Sequence, residues 1–218
     1  MKTNTIPREQ LLAQLNWRYA TKQFDPERKI SAQDWAALEE ALVLTPSSIG
    51  LQPWAFLVVD NPDLRRQLLL ATYGQPQVVD ASHLIVLATK TALAEGDVDA
   101  HVRRAAELRG LPVESLAGLR TMAVRAIVEG KSPAERRSWA LNQTYIALGN
   151  LLTSAALLGI DAAPMEGFER SRYDDILGLS ARGLTAAVVV ALGYRRADDK
   201  YAALPKVRFP RAAIVEHV

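Results

Sequence analysis

Apolar and polar positions alternate along this chain in a way that separates helices from a few strongly buried strands. Ile6 to Trp17 has helical spacing, with Ile6, Leu11, Leu12 and Leu15 apolar. Arg18 to Lys29 loses that period and is rich in charge, so it reads as an ordered loop. Ser31, with Asp34 three residues on, marks a helix start whose buried stripe is Trp35, Leu38, Ala41 and Leu42; this helix should stop before Pro46. Trp54 to Asp60 (WAFLVVD) reads as a strand, and Pro62 opens another helix. His83 to Thr89 (HLIVLAT) and Leu184 to Leu192 (LTAAVVVAL) are two further buried strands.

Between these strands, Asp97 to Arg109 and Val113 to Glu129 are helical but more polar, a surface excursion over about residues 97–130. Ser132-Pro133-Ala134-Glu135 has the order of an N-cap, a first-turn proline and a capping-box glutamate. The long helix it opens should end at Gly159. Its stretch from Trp139 to Leu158 is apolar on nearly every side and has to be covered all round, either at a subunit interface or in the core of one subunit. Glu169 to Leu177 reads as a short helix, and Leu204 to Val218 as an extended arm. With no repeat, low-complexity tract or linker, the simplest reading is one mixed helix-and-sheet domain over 1–218.

Composition narrows the function classes. The 218 residues are 49% hydrophobic and 23% charged, an ordinary globular balance. A net charge of +2 leaves no excess for gripping a polyanion, so nucleic-acid binding is disfavoured while a local phosphate site stays open. The chain has no cysteine, which removes disulfides, thiolate catalysis and cysteine-held metals. The start, Met1 to Gln10, is polar and lacks a signal peptide's apolar stretch. The most apolar segment, Trp139 to Ile160, carries Asn142, Gln143, Asn150, Thr153 and Ser154, which suits a helix buried in protein better than one in lipid. A cytoplasmic protein without membrane contact is expected.

Several chemistries lack their motifs. There is no GxGxxG after a strand and no GxSxG elbow. Gly130-Lys131-Ser132 has the end of a P-loop, but Arg125 stands where the leading glycine belongs. His83, His101 and His217 lie far apart without ligand spacing, so no metal site is expected, and His83 reads as a structural histidine opening a strand. Asp174-Asp175 and Asp198-Asp199 sit in polar stretches and read as solvated pairs. What remains is cations, amides and small-residue loops with no catalytic side chain. That inventory suits a bound organic cofactor carrying the reaction.

Four segments carry this chemistry. In Arg18-Tyr19-Ala20-Thr21-Lys22-Gln23-Phe24-Asp25, the spacing of Arg18 and Lys22 puts both on one side, either for an anion or as solvated cations. Pro46-Ser47-Ser48-Ile49-Gly50-Leu51-Gln52-Pro53-Trp54 offers hydroxyl and amide donors on a stiff frame, or is only a helix–strand connection. Ala163-Pro164-Met165-Glu166-Gly167-Phe168 exposes backbone N–H groups or is an ordinary turn. In Leu204-Pro205-Lys206-Val207-Arg208-Phe209-Pro210, Lys206 and Arg208 project from one side of an extended segment, toward a phosphate or toward solvent.

In order, RYATKQFD, PSSIGLQPW, DASH at Asp80 to His83, WALNQTYIALGN, PMEGF, LGY and LPKVRFP resemble the nitroreductase family. The resemblance is to its branch of oxygen-insensitive NAD(P)H nitroreductases and dihydropteridine reductases, and it rests on order and spacing from Arg18 to Pro210. It implies an α+β fold of three layers (α/β/α), with a central, mostly antiparallel sheet and a C-terminal arm exchanged with the partner of a homodimer. It also implies FMN at the dimer interface, reduced by NADH or NADPH. The reductant leaves before a nitroaromatic, quinone or similar small-molecule acceptor takes its place, a ping-pong cycle.

By position, the resemblance puts Arg18, Lys206 and Arg208 at the FMN phosphate and Lys22 at the pyrimidine edge, and counts Tyr19 and Ala20 among the cofactor-binding residues. Pro46, Ser47, Ser48 and Gly50 would come from the other subunit, and Gln143 would reach the cofactor. Pro164, Met165, Glu166 and Gly167 would line the ring, with the N–H of Glu166 or Gly167 near N5. Three positions depart from the family pattern: Ala20 replaces a common serine, Gly50 a usual asparagine, and Gln77 a lysine, with Gln75 supplying the neighbouring amide. A neutral Gln77 implies a lower flavin potential than in lysine-bearing relatives. The same fold also serves specialised reactions such as flavin destruction or reductive dehalogenation, and a cofactor-free dimeric binding protein is the rival outside enzymes.

Overall fold

The computed structural model describes residues 5–218; Met1–Asn4, part of the polar start, lie outside them. Four strands, β1 (Trp54–Val58), β2 (His83–Lys90), β3 (Asp161–Met165) and β4 (Leu184–Gly193), form one antiparallel sheet in the order β1-β2-β4-β3. The helices are α1 (Arg8–Trp17), α2 (Ala32–Val43), α3 (Pro62–Ala71), α4 (Gln77–Asp80), α5 (Glu95–Arg109), α6 (Ala117–Ala123), α7 (Pro133–Leu157) and α8 (Arg170–Ile176).

The central strands are apolar on both faces because both faces are covered. Ile85, Leu87, Val188, Val190 and Leu192 pack with Leu38 and Leu42 of α2 and Leu151 of α7. Leu84, Val86, Ala88 and Val189 pack with Leu68 of α3 and Tyr173 of α8 on the other face. Each of those five β2 and β4 side chains on the α7 face is at most 1% exposed, a burial of roughly 1.5–3 kcal/mol apiece. The pairing slips between Leu87↔Val188 and Ala88↔Ala186, leaving Ala187 as a bulge. The extra residue flips the alternation, so Ala186 and Val189, three apart, both face the α3 side.

Local sequence sets the helix ends. The Ser31 hydroxyl accepts from the Asp34 N–H at 3.0 Å, and Ser132 with Glu135 closes a full capping box at the start of α7. Gly159, at φ +70°, stands just past the end of α7. His83 is structural, as expected: its Nδ1 lies 3.0 Å from the Ser82 hydroxyl and its ring stacks on Trp35.

The structure corrects several expectations. Ala163 to Met165 is not a turn but part of β3, an edge strand where Pro164, lacking an N–H, is tolerated. The stretch from Val113 to Glu129 is a 3-10 turn, the short α6 and a π-helical segment, Val124–Glu129, and not one helix. Leu11, Leu12 and Leu15 of α1 and the preceding Ile6 stay exposed. On α7, Asn142, Ile146 and Gly149 face outward, with Ile146 45% exposed, so the helix is covered on one side only within this chain.

One member of each acid pair is not solvated. Asp174 accepts from the Thr185 hydroxyl at 2.6 Å and the Ala186 N–H at 2.7 Å. Asp199 is 4% exposed and fully engaged in hydrogen bonds.

Candidate functional site

The segment after α1 is laid along the end of the sheet. Ala20 bridges to Ala162 of β3, Phe24 bridges to Arg195, and the Asp25 N–H donates to the Tyr194 carbonyl at 2.8 Å. Phe24, fully buried, anchors this run in the core. Below it, the buried Asp161 takes the Arg195 guanidinium at 2.5 Å, and that guanidinium lies 4.2 Å from the Trp17 ring centroid and 4.5 Å from that of Tyr19.

Arg18, Tyr19, Ala20 and Lys22 thereby line one cavity of about 410 Å³, together with Tyr201, Lys206 and Arg208 from the arm. The Lys206 ammonium donates to the Arg18 carbonyl. Burial, then the charge of Arg208, lowers the Arg18 pKa; burial, then Arg208 and Arg18, lowers that of Lys206. No carboxylate enters either balance. Among the described residues none of Arg18, Lys206 and Arg208 forms an ion pair, and the arrangement fits a dianionic phosphate. Lys22 stands nearby, its ammonium 5.9 Å from the Tyr201 ring centroid.

The second predicted group also assembles. The Gln75 amide donates to the Gly167 carbonyl at 2.9 Å, joining the loop after α3 to the one after β3. Tyr145 of α7 donates to the Glu166 carboxylate at 2.5 Å; burial and that carboxylate push its hydroxyl up to about 12. Neither the Glu166 nor the Gly167 N–H has an acceptor within its own loop. Gln77 is 5% exposed, and its Oε1 is buried without a partner among the described residues. An orphaned acceptor of that kind is completed by a ligand donor such as a ring N–H.

The third group lies apart. Pro46, Ser47 and Gly50 line a separate cavity of about 450 Å³ with His101 and Arg104 of α5. Gln143 of α7 is spent on holding this loop: its Oε1 accepts from the Ser48 N–H at 2.8 Å and its amide nitrogen donates to the Trp139 carbonyl. Its role here is to fix the loop from behind. Gly50, at φ +79°, lets the His101 ring approach so closely that a Cβ there would sit 2.7 Å from His101 Cε1. Burial, then Arg109, lowers the His101 pKa. Ile49, Gln52 and Tyr73, all at positive φ without being glycine, fall in this loop and just before Gln75. Strain of that kind, about 1–3 kcal/mol each, gathers at functional sites.

Residues 15–194 match the family model described as the Nitroreductase family. This chain belongs to that family. Along 228 aligned residues it is 36% identical to a protein of Staphylococcus haemolyticus named "putative NAD(P)H nitroreductase", covering 96% of this chain and 98% of that one. Its fold matches the crystal structure of a Bacillus subtilis protein named "putative nitroreductase ydfN" at TM-score 0.86 and 20% identity, over 97% of this chain and 100% of that chain. A protein of Exiguobacterium sibiricum named "putative nitroreductase", solved in complex with FMN, matches over 100% of both chains at TM-score 0.80 and 21% identity. The α+β nitroreductase fold expected from the sequence is the one observed.

Within this nitroreductase frame, sequence reasoning missed Asp199, Asp161, Arg195 and His101. Asp199 had a faint local signal, since an Asp two residues before Tyr201 suits an Asx turn, and its carboxylate does accept the Tyr201 N–H at 3.0 Å. The other three act across long sequence distances and leave no local mark.

Proposed function

We propose that this nitroreductase-family chain is a homodimeric flavoenzyme that holds FMN and passes electrons from NADH or NADPH to nitroaromatic, quinone or similar acceptors. The observation that carries this reading is the uncompensated cation cluster of Arg18, Lys206 and Arg208 lining a cavity with Lys22. Bound FMN would supply the two-electron redox chemistry that no side chain here can perform. Arg18, Lys206 and Arg208 would hold its phosphate, with Tyr19 and Ala20 forming the adjoining wall. Lys22 would offset negative charge at the pyrimidine edge, where the orphaned Gln77 Oε1 would accept a ring N–H and Gln75 would hold the loop opposite. The N–H groups of Glu166 and Gly167, without an acceptor among the described residues, would orient the ring at N5, with Pro164 and Met165 beneath.

The loop from Pro46 to Gly50 would close the site from the second subunit, and the arm would reach across in return. Ile146, Leu12, Phe209 and Ile214, all exposed in one chain, supply apolar surface for such a contact. The reductant would leave before the acceptor enters the same cleft, which gives ping-pong kinetics. Among the described residues no helix is long and apolar enough to cross a membrane, in keeping with a cytoplasmic reductase.

The test is direct. Purified protein should show the visible absorption of oxidised flavin, bleach anaerobically with NADH or NADPH, and regain colour with a quinone. A colourless protein that takes up no added FMN would overturn the reading and favour the cofactor-free rival. Flavin bleached by neither nucleotide would point to one of the specialised reactions of this fold.

A further inference from the structure

The cation cluster is built from two chain segments separated by most of the sequence, and one buried carboxylate joins them. Asp199 Oδ2 accepts from the Tyr19 hydroxyl at 2.8 Å, the Lys22 N–H at 3.0 Å and the Gln23 N–H at 3.1 Å. Its Oδ1 accepts the Tyr201 N–H, which opens the turn Lys200–Ala203 that launches the arm. The Lys206 ammonium then returns to the Arg18 carbonyl. The contacts close a ring: Asp199 to residues 19–23, Arg18 to Lys206, and the arm back to Asp199.

We propose that Asp199 is a positioning residue that presets Arg18, Lys206 and Arg208 for a phosphate, so that the site prefers a phosphorylated flavin to its unphosphorylated form. The proposal rests on the FMN reading above. Asp199 does not act by neutralising the cluster, because it forms an ion pair with none of the three cations and its acceptor sites are taken by O–H and N–H donors. Burial alone would push its pKa up, but the bonds from Tyr19, Lys22, Tyr201 and Gln23 outweigh that and hold it below the usual range, so it stays ionised at neutral pH. A carboxylate is required by the geometry. Oδ2 serves three donors and Oδ1 a fourth, whereas an asparagine would turn an N–H₂ group toward one of these sets and leave it unpaired. Tyr19 transmits the same constraint to Arg195 and Asp161 through its ring.

Flavin titration of the full chain, stripped of bound cofactor, separates positioning from plain structural loss. Asp199→Asn should weaken FMN binding by about tenfold or more, while riboflavin binding changes by less than about threefold. Asp198→Asn, an exposed neighbour paired with Arg196, should leave both affinities unchanged. An equal fall for both flavins, or no change in either, would overturn the proposal. If Asp199→Asn does not fold, Tyr19→Phe removes one donor from the ring and must still lower the FMN-to-riboflavin ratio; an unchanged ratio overturns it. Wild-type protein that takes neither flavin would end the FMN reading together with this one, whereas an intact FMN preference in Asp199→Asn ends this one alone.

Discussion

The two halves of the candidate site are built differently. Around Arg18 and the arm, Asp199 ties residues 19–23 to the turn before the arm, and Lys206 comes back to Arg18 in the cavity that the cations line. The loop from Pro46 to Gln52 is fixed as firmly, by Gln143 behind it and His101 beside it, but it opens into its own cavity away from the cations. On the proposed homodimer, a strained loop whose cavity shares no lining residue with the cation cluster of its own chain would serve the second copy. That dimer would divide the site between subunits, one supplying the phosphate grip and the other the lid over the ring.

Substitutions in the two halves should therefore fail in different ways. The largest effect is expected from Arg208→Ala. Loss of charge-assisted bonds to a phosphate, about 1.5–3 kcal/mol, should weaken FMN binding by roughly 10- to 150-fold in an equilibrium titration, with the dimer intact in a sizing measurement. Unchanged retention would remove Arg208 from the phosphate site.

Gly50→Val should do the reverse. A β-branched residue at φ +79°, pressed against His101, should cost about 1–3 kcal/mol of stability in thermal unfolding and displace the loop. The reoxidation half-reaction with a quinone should slow by up to about 100-fold, while FMN binding falls far less than in Arg208→Ala. Equal loss of flavin in both variants would erase the proposed division of labour.

A smaller, pH-linked effect sharpens the cation half. In the ligand-free protein, burial, Arg208 and Arg18 lower the Lys206 pKa and so favour the neutral amine. A bound phosphate favours the ammonium. FMN affinity should be full below that lowered value and weaken as pH rises through it, before the ordinary lysine range near about 10.4. Lys206→Arg should push the fall in affinity to higher pH, since an arginine stays charged. An identical pH profile in the variant would show that Lys206 does not titrate against the phosphate.

How much of this was readable beforehand follows from the range of the forces. The Ser31 and Ser132 caps, the Pro62 start and the apolar strands β2 and β4 are local patterns, and each lies close to where periodicity and capping put it. Strand β3 was hidden because a five-residue stretch holding Pro164 has no strand signature of its own; pairing with β4 makes it a strand. The cations Arg18, Lys22, Lys206 and Arg208 were visible as spacing, and their convergence in one cavity was not. Asp199 was misread as solvated because its four donors come from positions 19–23 and 201, a long-range constellation that composition around it conceals. Gln143 was expected to reach the cofactor, and its amide makes two backbone bonds behind the loop, to the Ser48 N–H and the Trp139 carbonyl, that sequence spacing did not reveal.

The divided site can be tested most directly in a purified mixed dimer of one Arg208→Ala chain and one Gly50→Val chain. Each parental dimer should be nearly inactive with NAD(P)H and a quinone, one for lack of flavin and the other for a displaced loop. In the mixed dimer one site combines both lesions and the other has neither, so turnover should return to about half of the wild-type value. A mixed dimer no more active than its parents, or a flavin-loaded monomer with full turnover, would contradict the account.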